Sequence, residues 1–187
     1  FASKRIKKAE IKKQLKATPW LFTFLLHRVV QYLDEVPPSE IEPFEYLFQV
    51  SPEDVHATLD GMLREVHHDD EESPQATSAY AQRSHESKLA LETSLLLAKE
   101  YRLDEEYLFT ACVLRQLPFD FIAYHYPSIY KEAALFASEN NCSREEALTR
   151  ELGFSPFLLT HHIVDQWNIT RRYREALPRS PMHYSLA

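Results

Sequence analysis

The sequence predicts an all-α fold, and three features of its composition lead to that prediction. The 187 residues include only two glycines, Gly61 and Gly153, whereas an average chain of this length carries about 13. Because β-hairpin turns depend on glycine, all-β folds are disfavoured. Ser or Thr precedes proline at 18–19, 51–52 and 155–156, which is typical of a capped helix start. Hydrophobic residues make up 44% of the chain, which is enough for a sizeable core.

Local signals set the expected helix boundaries. Ser143 with Glu146 forms a capping-box pattern, and Asp104 and Thr170 are further candidate caps. Gly153 suits the left-handed position that follows a helix end. The predicted helices cover residues 3–16, 19–34, 40–48, 52–66, 79–101, 105–116, 118–124, 128–140, 144–152, 156–167 and 171–177.

Two strings leave a strand alternative open, and one predicted helix is apolar on most sides. Residues 108–114 and 119–126 have strand-like composition, although their flanking caps favour helix. Residues 89–91 and 95–98 are apolar around most of a helical circumference. A helix of that kind is expected at the centre of a bundle.

The organisation predicted for residues 1–187 is one domain of two helical lobes. Residues 1–66 form the smaller N-terminal lobe, residues 67–78 an acidic solvated loop, and residues 79–178 the main bundle; a tail, 179–187, follows. Because the first residue is Phe, we expect a piece of a longer polypeptide.

Charge and composition exclude several classes of protein. Two distant glycines cannot form a GxGxxG fingerprint, a phosphate loop or a GxSxG elbow. No apolar run is long enough to span a membrane, and no signal segment is evident, so a cytoplasmic protein is expected. Cys112 and Cys142 are expected to be reduced thiols. The net charge of −7 argues against general nucleic-acid binding, although lysines 4, 8, 12 and 16 share one face of the first predicted helix.

An ordered series of loose motifs in the second half of the chain points to a family. The motifs are His85 at the start of a long apolar helix with Ala90 five residues later, EEYLFTACVLRQLP at 105–118, Tyr126-Pro127 with Tyr130, ELGFSP at 151–156 and VDQW at 164–167. Together they resemble the HDOD domain, a bacterial signalling relative of the HD-superfamily phosphohydrolases. The resemblance covers about residues 80–178 and implies an HD-like helical bundle.

The resemblance also implies a lost metal site. HD enzymes hold a divalent cation with a His, a His-Asp pair and a later Asp, and the cation generates a hydroxide nucleophile. His85 lies at the position of the first His, but Arg115 and Gln116 occupy the His-Asp position. Pro156-Phe157 replaces a further His. We therefore expect no catalytic residue, no metal and no cofactor.

The expected function is a non-catalytic signalling or regulatory module that acts on a protein partner or on a neighbouring domain. An alternative is that the remnant cleft at His85, Arg115 and Gln116 binds an anion or a nucleotide, because guanidinium suits phosphate. A retained metal-dependent phosphohydrolase is the least favoured alternative.

Other chemistry-bearing residues have simpler interpretations. Adjacent helical side chains point apart, so neither His161-His162 as a shared metal site nor Ser84-His85-Glu86 as a catalytic triad is favoured. His67-His68-Asp69-Asp70 fits a solvated loop better than a metal site. An aromatic set is expected to form core between the lobes; its members are Trp20, Phe22, Phe24, Tyr32, Phe44, Tyr46 and Phe48.

Overall fold

The chain is all-α in the computed structural model, which describes residues 8–32, 40–49 and 74–178. Within these ranges the secondary structure is helical except for one isolated bridge. The helices are α1 (Lys8–Ala17), α2 (Pro19–Tyr32), α3 (Pro43–Leu47), α4 (Pro74–Tyr101), α5 (Glu105–His125), α6 (Pro127–Asn140), α7 (Arg144–Leu152), α8 (Phe157–Gln166) and α9 (Arg171–Ala176).

The described helices divide between two compact units. The first unit contains α1, α2 and α3 together with Gln166–Thr170. The second contains α4 to α7, α8 up to Asp165, and α9. Each unit has its own buried core and is described below by itself.

The first unit is built on large apolar side chains. Phe22 of α2 is 1% exposed and its ring centroid lies 4.7 Å from that of Phe44 in α3. A single parallel bridge joins Ile41 to Ile169, and both the amide and the hydroxyl of Thr170 donate to the Ile41 carbonyl. The Thr170 hydroxyl therefore holds this bridge, and its predicted role as a helix cap is not the one observed.

The second unit is organised by α4 and α5, which pack against each other in antiparallel orientation. As the residue number rises along α4, the number of its contact residue in α5 falls, from the Tyr80–Tyr124 ring pair to Arg83–Asp120. Helices α6 and α7 pair with each other, and α6 also packs on α4 and α5. This arrangement brings side chains far apart in sequence into one polar seam between α4 and α5.

Several predicted helix ends are confirmed. Asp104 accepts hydrogen bonds from the amides of Glu106 and Tyr107 at 2.9 and 3.1 Å. Ser143 and Glu146 form the reciprocal capping box. Gly153 follows α7 with a φ of +77°, in the left-handed region. The strand alternative for 108–114 and for 119–126 is wrong, because α5 runs through 108–114 and up to His125.

The predicted break between two helices at residues 116–118 is also wrong. Helix α5 runs through Pro118, which lies buried within it. Proline removes one backbone hydrogen bond and normally kinks or ends a helix. Here the helix carries buried side chains on both sides of the proline, including Leu114 and Ile122, and their packing outweighs that loss.

The prediction that residues 89–98 lie at the centre of a bundle is wrong. Leu91 and Ala98 are buried, but Leu89, Leu96 and Leu97 are 59%, 66% and 46% exposed. Among the described residues, the neighbouring helices bury the side of α4 that carries Leu91 and Ala98 and leave the side of Leu89 and Leu96 exposed. The apolar sequence of α4 does not show how many of its sides are covered.

Other predicted boundaries shift or fall outside the described residues. Helix α4 begins at Pro74, within the predicted loop at 67–78, and proline is well suited to a first helical position. Helix α3 is shorter than the predicted 40–48. The predicted helix at 52–66 and the tail at 179–187 lie outside the described residues.

Candidate functional site

A buried arginine lies at the centre of the seam between α4 and α5. Arg83 is 5% exposed, and its Nε donates to Asp120 Oδ1 at 2.8 Å. Its Nη1 donates to Glu86 Oε2 at 3.1 Å. Its Nη2 donates to Ser87 Oγ at 2.9 Å and to Gln116 Oε1. Removing a guanidinium from water costs several kcal/mol. The four hydrogen-bond acceptors around Arg83 offset that cost.

Glu86 extends the seam to two further helices. Its Oε2 atom accepts from Arg83 Nη1, from the hydroxyl of Tyr130 in α6 at 3.3 Å, and from Arg144 Nη1 in α7. Arg144 also donates to the Tyr130 hydroxyl, and its guanidinium lies 5.0 Å from the centroid of the Tyr130 ring. One carboxylate oxygen thus joins donors from three helices.

We call this group of side chains the Arg83 network. Its members are Arg83, Glu86, Ser87, Gln116, Asp120, Tyr130 and Arg144. It contains two guanidiniums and two carboxylates, so its formal charges balance.

Helical spacing explains how the network assembles. Glu86 and Ser87 follow Arg83 by three and four residues, so both lie on the face of α4 that Arg83 occupies. Gln116 and Asp120 are four apart and share a face of α5 in the same way. The antiparallel pairing then places the two faces in contact.

The pKa values of the two carboxylates in the network are shifted in opposite directions from their ordinary values. Burial opposes the ionisation of Glu86, but hydrogen bonds and charge from Arg144 and Arg83 outweigh it and lower the pKa of Glu86 below its usual value. For Asp120 burial is the larger effect, and it raises the pKa despite Arg83 and a 2.6 Å hydrogen bond from Ser87. The charge of Glu86 adds to that rise. The network therefore favours the ionised form of Glu86 and disfavours that of Asp120, relative to their ordinary pKa values.

Polar contacts continue along the same seam. Cys112 of α5 is half-buried, and burial raises the pKa of its thiol although Ser94 of α4 forms a hydrogen bond with it. Burial likewise raises the pKa of the Tyr130 phenol. Both groups are therefore neutral at pH 7, and the thiol is a weak nucleophile there. Cys142 is a half-buried free thiol as well.

The structure places the three predicted site residues differently from one another. Gln116 joins the Arg83 network, as a hydrogen-bond acceptor from Arg83. His85 and Arg115 are exposed on α4 and α5. Neither of these two side chains takes part in the hydrogen bonds of the network.

Sequence reasoning missed most of the network. The sequence patterns mark none of Arg83, Asp120 and Arg144 as a site residue, and they place Glu86 only in a disfavoured triad with Ser84 and His85. The sequence signal is local: Asp120 lies between Phe119 and Phe121, and Arg83 lies one helical turn after Ala79. Finding the pair also needs the contact between α4 and α5, since 37 residues separate its members.

The remaining candidate residues have structural surroundings. His161 lies 2.9 Å from the Pro178 carbonyl, and His162 is exposed. Lys12 lies 5.6 and 5.8 Å from the ring centroids of Phe44 and Phe48, a cation–π arrangement within the first unit. His67-His68-Asp69-Asp70 lies outside the described residues. In the part of the chain that the structure describes, no three His, Cys, Asp or Glu side chains group in a way that could hold a metal ion.

The aromatic set predicted as core is only partly buried. Phe22, Phe44 and Tyr46 are buried in the first unit, but Trp20 is 55% exposed. The Tyr32 side chain lies outside the described residues. Trp167, which was not in the predicted set, is buried in the same unit and contacts His27.

The outer face of α4 is an exposed apolar surface. Leu89 and Leu96 are seven residues apart, or about two helical turns, and therefore lie on the same face. Leu97 and Tyr101 are one turn apart on a second stripe of the same helix, about 100° or more round its axis from Leu96, and are 46% and 65% exposed. We call these four side chains the α4 outer face.

Comparisons of the chain with protein-family models, with curated proteins and with solved structures find no match. Among the described residues, no helix has the length and apolar character that crossing a membrane requires. The site therefore has to be interpreted from its own geometry.

Proposed function

We propose that the chain is a non-catalytic regulatory module of the HDOD type, which acts in the bacterial cytoplasm through contacts with a protein partner or a neighbouring domain. The observation that supports this proposal is the Arg83 network, which fills the polar seam with an internal cation. By the resemblance, one of the expected metal-ligand positions, that of Gln116, lies in this seam, whereas those of His85 and Arg115 lie on the surface.

The position of Gln116 links the resemblance to the geometry. By the resemblance, Gln116 stands where an HD enzyme has the metal-binding Asp. Here its amide oxygen accepts from the guanidinium of Arg83, and Asp120 one turn later accepts from the same group. A guanidinium cannot generate a hydroxide from water as a divalent metal does, so it suits a structural role.

The α4 outer face supports the second half of the proposal. Large apolar side chains left exposed along one helix can mark a site of protein contact. Leu89 and Leu96 are more than half exposed, although Leu91 and Ala98 on the opposite side are buried. One side of α4 therefore faces the core, and the other side is a candidate contact face.

Absence of catalysis is tested by assaying the full chain on phosphoesters in the presence of added Mn²⁺. We expect no turnover above the blank. Turnover that disappears in the Asp120→Asn variant would show that the seam is catalytic and would overturn the proposal.

The protein contact is tested with two matched leucine variants. Leu96→Glu changes the α4 outer face, and Leu135→Glu changes α6 at a similarly exposed leucine, 61% against 66%. A partner recovered from the native cells is purified and its affinity measured by calorimetry. We expect Leu96→Glu to weaken binding at least about tenfold, or 1.4 kcal/mol, and Leu135→Glu to leave it unchanged. Equal affinity for both variants would exclude this face.

Anion binding is the second candidate, and the exposure of Arg115 favours it. The two arginines of the network already bind Glu86 and Asp120, so an incoming anion would have to displace a carboxylate there. Exposed Arg115 has no such competitor within the network. Calorimetry with nucleotides and the Arg115→Ala variant tests this candidate, which requires binding that the substitution abolishes.

A further inference from the structure

Helices α6 and α7 form a hairpin with its own internal contacts. A short turn joins them through Asn141, whose φ is +50°, and the Ser143 capping box begins α7. Within the hairpin the guanidinium of Arg150 lies 3.9 Å from the ring centroid of Phe136. Helix α7 packs mainly against α6. The hairpin is therefore a local unit held together independently of α4.

Both ends of the hairpin are breaks in regular helix. At one end Tyr126, with φ −132° and ψ 58°, separates α5 from Pro127. At the other end Gly153 lies in the left-handed region, and a Cβ added there would meet nothing within 4 Å. Chain breaks of this kind at element termini are where hinge motions are absorbed.

The apolar contact between the hairpin and the rest of the unit combines small and large side chains. On the side of α4 and α5 the buried contributors are Ala79, Ile122 and Ala123. The hairpin contributes a second set of buried side chains, which consists of Tyr130, Ala133, Ala147 and Leu148. Four of these seven residues are alanines, and larger side chains, among them Phe119 and Phe136, pack against them. Because apolar contact is non-directional, this cluster does not by itself fix the hairpin in one position.

The polar attachment converges on a single atom. In the described part of the chain, the side-chain hydrogen bonds that leave the hairpin come from Tyr130 and Arg144, and both end on Glu86 Oε2. The Glu86 side chain is a third exposed, so solvent and a bound partner have access to it. The Arg83 side chain beside it is 6% exposed. Asp120 and Gln116 would keep Arg83 bound if Glu86 were lost.

We propose that Glu86 is the release point of a hinged α6–α7 hairpin, which detaches from α4 as a unit when the bonds from Tyr130 and Arg144 are broken. The inference rests on the proposed regulatory function, because it names the movement by which such a module would change state. The pairing of α4 with α5 persists in the released form, since Arg83 keeps its bonds to Asp120 and Gln116.

Hydrogen exchange of the full chain, measured by mass spectrometry without any partner, tests the hinge. Glu86→Gln keeps the shape of the side chain and removes its charge. We expect amides of α6 and α7 to exchange at least about tenfold faster than in the wild type. Amides in α5 between 107 and 114 should be unchanged.

Two further variants complete the design. Glu92→Gln is the matched control, because Glu92 lies on α4 with an exposed partner, Lys88, 4.0 Å away, and should change nothing. Arg144→Gln breaks the same contact from the hairpin side and should reproduce the Glu86→Gln pattern; it serves as the test variant if Glu86→Gln does not fold. Faster exchange at 107–114 of α5 together with the hairpin, or no change in α6 and α7, would overturn the inference.

The outcome is separable from that of the proposed function. An unchanged exchange pattern in a chain that binds its partner through the α4 outer face would remove the hinge and leave the proposed function standing. A selective release of the hairpin in a chain with phosphoesterase activity would support the hinge and remove the proposed function.

Discussion

The two compact units bury different kinds of side chain. The first unit has a core of large apolar groups such as Phe22, Leu26 and Phe44. The four buried polar or charged residues among those described all belong to the second unit, and one of them is Arg83. Apolar contact is non-directional and tolerates small shifts, whereas a hydrogen-bonded guanidinium accepts one arrangement. The comparison suggests that polar matching sets the register of α4 against α5.

The largest effect is expected from removing the buried cation. Arg83→Met leaves Asp120 and Glu86 without their shared partner, and breaking a buried pair in this way costs about 3–5 kcal/mol. Urea denaturation measures the loss. Arg171→Met is the control, since Arg171 pairs with Glu175 on the surface of α9 and should cost at most about 0.5 kcal/mol. Similar losses in the two variants would remove the distinction between the units.

A smaller and pH-dependent effect is expected at Glu86. Because its pKa is lowered in the folded chain, its contribution to stability is present above the ordinary value of 4.5 and is lost as the pH falls through the folded value. Asp120, with a raised pKa, contributes in the opposite direction and offsets part of that loss. Glu86→Gln should lower stability at pH 7 by about 1–3 kcal/mol.

The same variant should flatten the acid side of the stability profile, because its glutamine does not titrate. Thermal unfolding between pH 7 and pH 3 measures this. Wild type and Glu86→Gln curves that stay parallel over the whole range would show that Glu86 is not the titrating contact.

The apolar unit should tolerate a conservative change. Phe22→Leu keeps a branched apolar group next to Phe44 and should cost about 1–1.5 kcal/mol, within the range for swaps that largely preserve volume. Far-ultraviolet circular dichroism and urea denaturation give the helical content and the loss. A cost as large as that of Arg83→Met would mean that the first unit is as strictly specified as the second.

The smallest effect is expected to have the opposite sign. The Thr110 hydroxyl is buried in α5 and has no hydrogen-bond partner among the described residues. Thr110→Val removes that unsatisfied group at nearly constant shape and should stabilise the protein by up to about 1 kcal/mol. Thr93→Val is the control, since the exposed Thr93 hydroxyl donates to the Leu89 carbonyl at 2.8 Å. A marked loss of stability in Thr110→Val would indicate a partner that the geometry does not reveal.

Local features of the fold were predictable from the sequence, and features that depend on contact between helices were not. The caps at Asp104 and Ser143 follow from side chains within three residues of the amides they bind. Whether α5 continues through Pro118, or whether Leu96 is exposed, depends on which helices pack alongside. Which helices pack against each other cannot be deduced from the local patterns of a single sequence.

The candidate site follows the same division. Gln116 was identified because the resemblance marks its position, and it lies in the network. Arg83 and Arg144 were missed because their partners are far away in sequence, 37 residues from Arg83 to Asp120 and 58 from Arg144 to Glu86. His85 and Arg115, identified by the same resemblance, lie on the surface.

The left-handed turn residues have a consequence for the unfolded chain. Arg102, Asn141 and Asn168 all have positive φ angles, at positions where glycine would be less strained. A glycine there would relieve the fold but would also give the unfolded chain more conformations to lose on folding. By using side-chain-bearing residues at these turns, the protein stores a small strain in the native state and limits the entropy of the denatured one.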